Sequence, residues 1–130
     1  MTIELIEPKT LRTIIRSIEK AKRQICWKPN KANPHLLKRI RLNHLPASSD
    51  LKDYENLIQS ILANPEAQVY IYTYDIDLYP KLTAYNQNRL WLLMLTAEGI
   101  VETAFPPSNP SNYLSNPAFT YLGKLGELLS

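Results

Sequence analysis

At Asn64-Pro65 the hydrophobic period of this 130-residue chain changes, and no other feature constrains its fold as much. Before that point Leu51, Tyr54, Leu57, Ile58, Ile61 and Leu62 recur at three- and four-residue spacing. This is the apolar stripe of an amphipathic helix, which Ser48, Ser49 or Asp50 can cap and which the Asn-Pro pair stops. After it the pattern alternates: Val69, Ile71 and Thr73 face one way along a strand and Tyr70, Tyr72 and Tyr74 the other. Leu90 to Thr96 is nearly continuous in apolar residues, as a central strand would be, and Ala97-Glu98-Gly99 turns it into a second strand from Ile100 to Phe105.

Two further helices are predicted upstream. From Lys9 to about Ile25, Leu11, Ile14, Ile15, Ile18 and Ile25 fall on one face, while Arg12, Arg16, Lys20 and Arg23 form a basic stripe on the other. Like charges at this spacing do not stabilise a helix, so the stripe is tolerated or used. A short helix from Pro34 to about Leu42, with Asn33 as its cap, carries His35, Lys38, Arg39 and Arg41, and His44 follows it. His35, Lys38 and Arg39 share a face of that helix.

The remaining segments read less sharply. Thr2 to Ile6 fits a short strand or an extended lead-in. Asp75 to Asn88 fits either an extension of the first strand through Ile76 and Leu78 or a loop. In the tail, Phe119 to Leu122 fits a short strand. Helices followed by antiparallel strands imply an α+β fold, with N-terminal helices packed on a small antiparallel β-meander sheet. The 130 residues fit one domain, comprising a basic helical part at 1–64 and a sheet part at 65–130.

Charge sharpens the functional reading. Residues 1–44 hold eleven Lys and Arg against three Glu, whereas residues 45–130 hold four against nine Asp and Glu. Such polarity suits a polyanion-binding face on a neutral or acidic body. No apolar run reaches the roughly 18 to 20 residues of a membrane span. With no signal-like N-terminus either, the expectation is a cytoplasmic protein. A single cysteine, Cys26, excludes an internal disulfide and reads as a small core residue, and two histidines offer no zinc-ligand spacing. The sequence calls for no metal or other cofactor. The row of Tyr70, Tyr72 and Tyr74 suits a base-stacking platform or, with no Arg or Lys interleaved, half-buried core residues with hydroxyls at the rim.

Three pieces of the chain, His35 to His44, Asp53-Tyr54 through Asn64-Pro65, and Gly99 to Pro106 with Tyr113 beyond, follow one another in an order that resembles a family. It is the barnase, EndoU, colicin-nuclease and RelE-like ribonuclease superfamily, particularly its small phage and mobile-element branches. The resemblance spans roughly residues 35–114 and implies helices on an antiparallel sheet and metal-independent endoribonuclease activity of toxin type. Such chemistry uses the ribose 2′-OH as nucleophile and needs a base, an acid and donors around the phosphorane. His35 and His44 titrate in the right range, and Arg39, Thr103 and Tyr113 complete the candidate catalytic set. Lys38, Arg41, Ser111, Arg12, Arg16, Lys20 and Arg23 are the candidate substrate-binding residues. RNA is the expected partner, with an acidic antitoxin or inhibitor protein as a second. The alternative is a catalytically silent nucleic-acid-binding or protein-interaction module that uses the basic N-terminal helix.

Overall fold

The computed structural model describes residues 7–130, so the anticipated Thr2 to Ile6 strand lies outside the described residues. Helix α1 spans Pro8–Arg23 and opens on proline, whose missing N–H is one that a first helical turn leaves unbonded anyway. It buries Ile14, Ser17, Ile18 and Ala21. The helix stops short of the anticipated Ile25 because the next backbone groups have other partners. Cys26 O accepts from Val101 N at 2.7 Å and Lys28 N donates to Val101 O at 3.0 Å. The segment around Trp27 thereby covers part of a sheet edge that would otherwise stand unpaired.

Helix α2, Ala32–Arg41, begins before Pro34, so Asn33 is not its cap. Lys31 takes that place and its carbonyl accepts from His35 N at 3.1 Å. Proline is tolerated within the first turn because the N–H groups there have no helical acceptor. Helix α3, Leu51–Leu62, uses Asp50 of its three candidate caps. Asp50 accepts from Asp53 N at 2.8 Å, and Asp53 returns the bond by accepting from Asp50 N at 3.0 Å.

The five strands are β1 Gln68–Tyr74, β2 Asp77–Asn86, β3 Arg89–Leu95, β4 Val101–Phe105 and β5 Phe119–Lys124, in the spatial order β4-β3-β2-β1-β5. All neighbours are antiparallel. The chain is an α+β fold with a four-strand meander, to whose far edge β5 returns. A crossover carrying the short helix α4, Pro110–Leu114, makes that return, and α5, Leu125–Leu129, ends the chain. The open segment from Asp75 to Asn88 is thus a strand of its own, and it, rather than β3, lies at the centre of the sheet. Asp75, at a φ of 57°, turns the chain after β1, and Gln87 and Asn88, at 51° and 68°, turn it again after β2.

Register sorts the two faces. Val69, Leu82, Leu93 and Ala104 lie across one row on the helix side. Ile14, Ile18, Tyr54, Ile58, Ile61 and Leu62 pack on that side in one core with Val69, Leu82 and Leu93. Tyr70, Lys81 and Met94 make the matching row on the far face. Tyr54 binds α3 to the sheet edge: its hydroxyl donates to Ala104 O and accepts from Ala104 N, satisfying backbone groups that β4 leaves unpaired. Among the described residues no helix is long and apolar enough to cross a membrane.

Candidate nucleic-acid interface

The end of α2 is built around Asn43, whose φ of 61° is a conformation that asparagine adopts more readily than most residues. It folds the chain back so that His44 N donates to Arg39 O at 2.8 Å and Leu45 N to the same oxygen at 3.3 Å. This closure sets the His44 ring beside the Arg39 side chain. Arg39 Nη1 lies 3.2 Å from His44 Nδ1. Guanidinium has no lone pair to offer, so Nδ1 must be the acceptor and the neutral ring carries its proton on Nε2.

Arg39 itself is unusual. It is only 4 % exposed, its guanidinium stands 5.6 Å above the Phe105 ring, and its Nε has no hydrogen-bond partner. Among the described residues no carboxylate pairs with it. A buried guanidinium keeps its charge, and the polar side chain it meets is His44.

Three concavities of about 380, 450 and 420 Å³ meet at His44. The first lies between the Asn43 to Ala47 loop and the β2–β3 turn, where it is lined by Asn86, Gln87, Arg89 and Trp91. The second runs past Tyr85 and Leu90 to Pro106 and Pro107, and the third past Ser48, Asn56 and Ser60. The His44 ring meets Trp91 edge-on at 6.3 Å. Burial lowers the His44 pKa, with the Arg39 and Arg89 charges acting the same way, so the ring is held neutral. The single acid among the lining residues, Asp53, already accepts the Asp50 N–H in the cap of α3. The groove therefore offers an Nε2–H donor, the Arg89 guanidinium and a set of amides.

The other candidate residues are distributed around this groove rather than gathered in it. His35 sits in the first turns of α2, one helical turn before Arg39, and lines none of the three concavities at His44. Its pKa is lowered by burial and by Arg39, Lys31 and Lys38, while a hydrogen bond with the Glu102 backbone acts the other way. Thr103 lies at the edge of the sheet, where it and the Ala104 backbone oppose through hydrogen bonds the upward push that burial gives Tyr54. Tyr113 belongs to the crossover and packs on Phe105 and Phe119, each at 5.7 Å, and Ser111 is exposed on α4. Lys38 and Arg41 are exposed on α2 beside Arg39.

The basic stripe Arg12, Arg16, Lys20 and Arg23 is exposed on α1. A Cβ added at Gly99, in the β3–β4 turn, would stand 2.6 Å from Ser17 O and 3.1 Å from Lys20 Cβ. That contact puts Lys20 at the end of β3 opposite His44, roughly 20 Å away at 3.3 Å per residue. Sequence reasoning missed Arg89, Trp91 and Phe105. Only the turn residues Asn86 and Asn88 signalled that a loop here could reach the end of α2.

The fold and the groove define an α+β domain with a polar cleft at one end of its sheet, lined by Arg89 and the neutral His44. No protein-family model, characterised relative or solved structure matches the chain.

Proposed function

We propose that this chain is an RNA-binding domain of the ribonuclease-like kind, gripping the phosphodiester backbone in the groove at His44. The observation that carries this reading is the buried, unpaired Arg39 behind His44. A cation withdrawn from water and given no counter-ion favours an anion at the surface it faces, and His44 Nε2–H with Arg89 can hydrogen-bond one there. Amides of Asn43, Asn86 and Gln87 line the groove around that position, and the exposed Tyr85 supplies a ring face for a base, while the buried Trp91 forms the floor behind His44.

The chemistry assigns roles to the two histidines separately. With its Nδ1 lone pair engaged by Arg39, His44 acts as a donor toward a non-bridging oxygen and not as the base. Metal-independent cleavage through 2′-OH attack is the second reading, favoured by the convergence of a neutral His donor and an Arg on one cleft. His35 lines none of the three concavities at His44, so the base would have to come from elsewhere. An acidic antitoxin or inhibitor would meet the same exposed cations, Lys38, Arg41 and Arg89.

The test is titration of a labelled single-stranded RNA by fluorescence anisotropy over a range of salt. The expected result is affinity that falls steeply with salt, with a slope reduced by roughly 0.7 in Arg89→Gln, one phosphate's worth. No binding at low salt would overturn the reading. The same RNA, incubated in excess chelator, should yield 2′,3′-cyclic or 3′-phosphate ends if the second reading holds; intact RNA leaves a binding module.

A further inference from the structure

The far face of the sheet holds a second buried cation that the RNA reading does not use. Lys81, in the central strand β2, is 2 % exposed. Its Nζ stands 4.7 Å from the centre of the Tyr72 ring and 5.9 Å from that of Phe119, and among the described residues it has neither a hydrogen bond nor an ion pair. The side chain forms part of the wall of a pocket of about 280 Å³, which is otherwise lined by Tyr72, Tyr74, Tyr79, Met94 and Glu102. Glu102 is the single carboxylate there, and it pairs with Lys28 at 3.4 Å from the outer side.

We propose that Lys81 is a nucleophilic amine whose pocket accepts a small, neutral aromatic or branched carbonyl compound, which it captures as an imine. The walls select this class. Three tyrosines and a methionine give an apolar, ring-lined space, while Glu102 disfavours an anionic ligand. The volume is at the small end for ligand pockets. A desolvated lysine with no partner is also the form of lysine best suited to attack carbon.

The step balances without any added reagent. The Nζ lone pair forms a bond to the carbonyl carbon as the C=O π bond breaks, giving a carbinolamine. Nζ then loses a proton and the carbinolamine oxygen leaves as water, with Glu102 placed on the same pocket to carry the proton. Amine and carbonyl thus become imine and water. Burial lowers the Lys81 pKa to about 8, with Glu102 pulling it back up. The charged and titratable groups that face it are Tyr72 and Tyr74 from β1, Tyr79 from β2, and Glu102 from β4 with its partner Lys28; β3 contributes only Met94 and β5 the Phe119 ring.

The experiment treats the full chain with benzaldehyde and cyanoborohydride, then maps the benzylated lysines by mass spectrometry across a pH series. Near neutral pH the pKa difference leaves about two orders of magnitude more free amine at Lys81 than at an ordinary lysine. Limited access offsets part of this advantage. Lys81 is therefore expected to label at least about tenfold faster than exposed Lys9, Lys22 or Lys38, with its midpoint near pH 8. In Glu102→Gln the midpoint should move to lower pH, because the one carboxylate that favours the charged amine is gone. Labelling of Lys81 no faster than that of the exposed lysines would overturn the proposal, as would a midpoint in the ordinary lysine range. Since the decisive reading comes from the unaltered chain, a variant that fails to fold does not blunt it. RNA binding is not involved in any arm, so failure of the RNA reading leaves this result untouched.

Discussion

Arg39 and Lys81 are both buried cations set against aromatic rings, Phe105 for the first and Tyr72 with Phe119 for the second, and neither has a carboxylate partner among the described residues. They solve the same physical problem differently. Lysine can shed its proton when burial makes the charge expensive, and Lys81 moves toward doing so. Arginine stays charged at any ordinary pH, so Arg39 keeps its charge and hydrogen-bonds His44, which faces the groove. One cation is thereby suited to holding an anion and the other to becoming a neutral nucleophile. Side-chain chemistry sets the main difference between them, and their polar neighbours add to it, His44 for Arg39 and Glu102 for Lys81.

The sharpest way to break this comparison is Arg39→Met. An uncompensated buried charge contributes little to the fold, so stability should hold or rise by about 1 kcal/mol. RNA affinity should fall, by about 1.5 to 3 kcal/mol, roughly tenfold to a hundredfold, if the charge acts on a phosphate through His44. Denaturant melts and anisotropy titrations of the same preparation give both numbers. An Arg39→Met protein that unfolds more easily yet binds RNA as before would make Arg39 a structural residue. Lys81→Met should leave RNA affinity unchanged, and a loss there would join the two regions that the comparison separates.

Tyr54→Phe comes next and tests the frame that holds the groove. It removes the hydroxyl that satisfies both Ala104 N and Ala104 O, at a cost of about 1 to 3 kcal/mol. A melting temperature equal to the parent's would show that the β4 edge is satisfied without α3.

Legibility follows the same physics of burial. The α3 stripe could be read from spacing because that helix has one wet face and one dry face. In β2 the run Lys81-Leu82-Thr83-Ala84 is buried throughout, polar residues included, and Pro80 inside the strand is a residue that argues against a central one, so Asp75 to Asn88 is open between strand and loop in the sequence. The β4–β5 crossover covers part of the far face of the sheet, with Tyr113 on Phe105 and Phe119. At the groove, the shared face of His35 and Arg39 was legible, but the position of His44 depends on the reversal at Asn43, and Arg89 and Trp91 arrive from a strand some forty-five residues later. The tyrosine row showed no interleaved cation in sequence because its cation comes from the neighbouring strand, where Lys81 pairs opposite Tyr70.

A smaller effect concerns pH. The pKa values of both His35 and His44 are lowered by burial and neighbouring positive charge. The unfolded chain therefore binds more protons than the folded one at pH values between the folded and unfolded histidine pKa values. Stability should be complete above the unfolded value, near 6.5, and should fall as pH drops through it to the lower folded values. A His35→Gln, His44→Gln double variant should lose less melting temperature on this acid side than the parent. An equal loss in both proteins would assign the acid sensitivity to other groups.

The smallest effect expected on short substrates is from the α1 stripe. Replacing Arg12, Arg16, Lys20 and Arg23 by Gln changes only exposed side chains, so stability should stay within about 0.5 kcal/mol. The contact of Gly99 with Ser17 and Lys20 places this helix at the end of β3 away from His44, so an oligonucleotide that only fills the groove does not reach it. Its affinity and salt slope should be those of the parent. A long RNA that can run from the groove along the body of the molecule should instead lose affinity, with a salt slope reduced by up to about 0.7 for each stripe residue that meets a phosphate. Equal losses on short and long RNA would place the stripe and the groove on one continuous site and end the distinction between them. No loss on either would confine RNA to the Arg39, His44 and Arg89 end of the sheet and leave the stripe as a surface for a different, acidic partner.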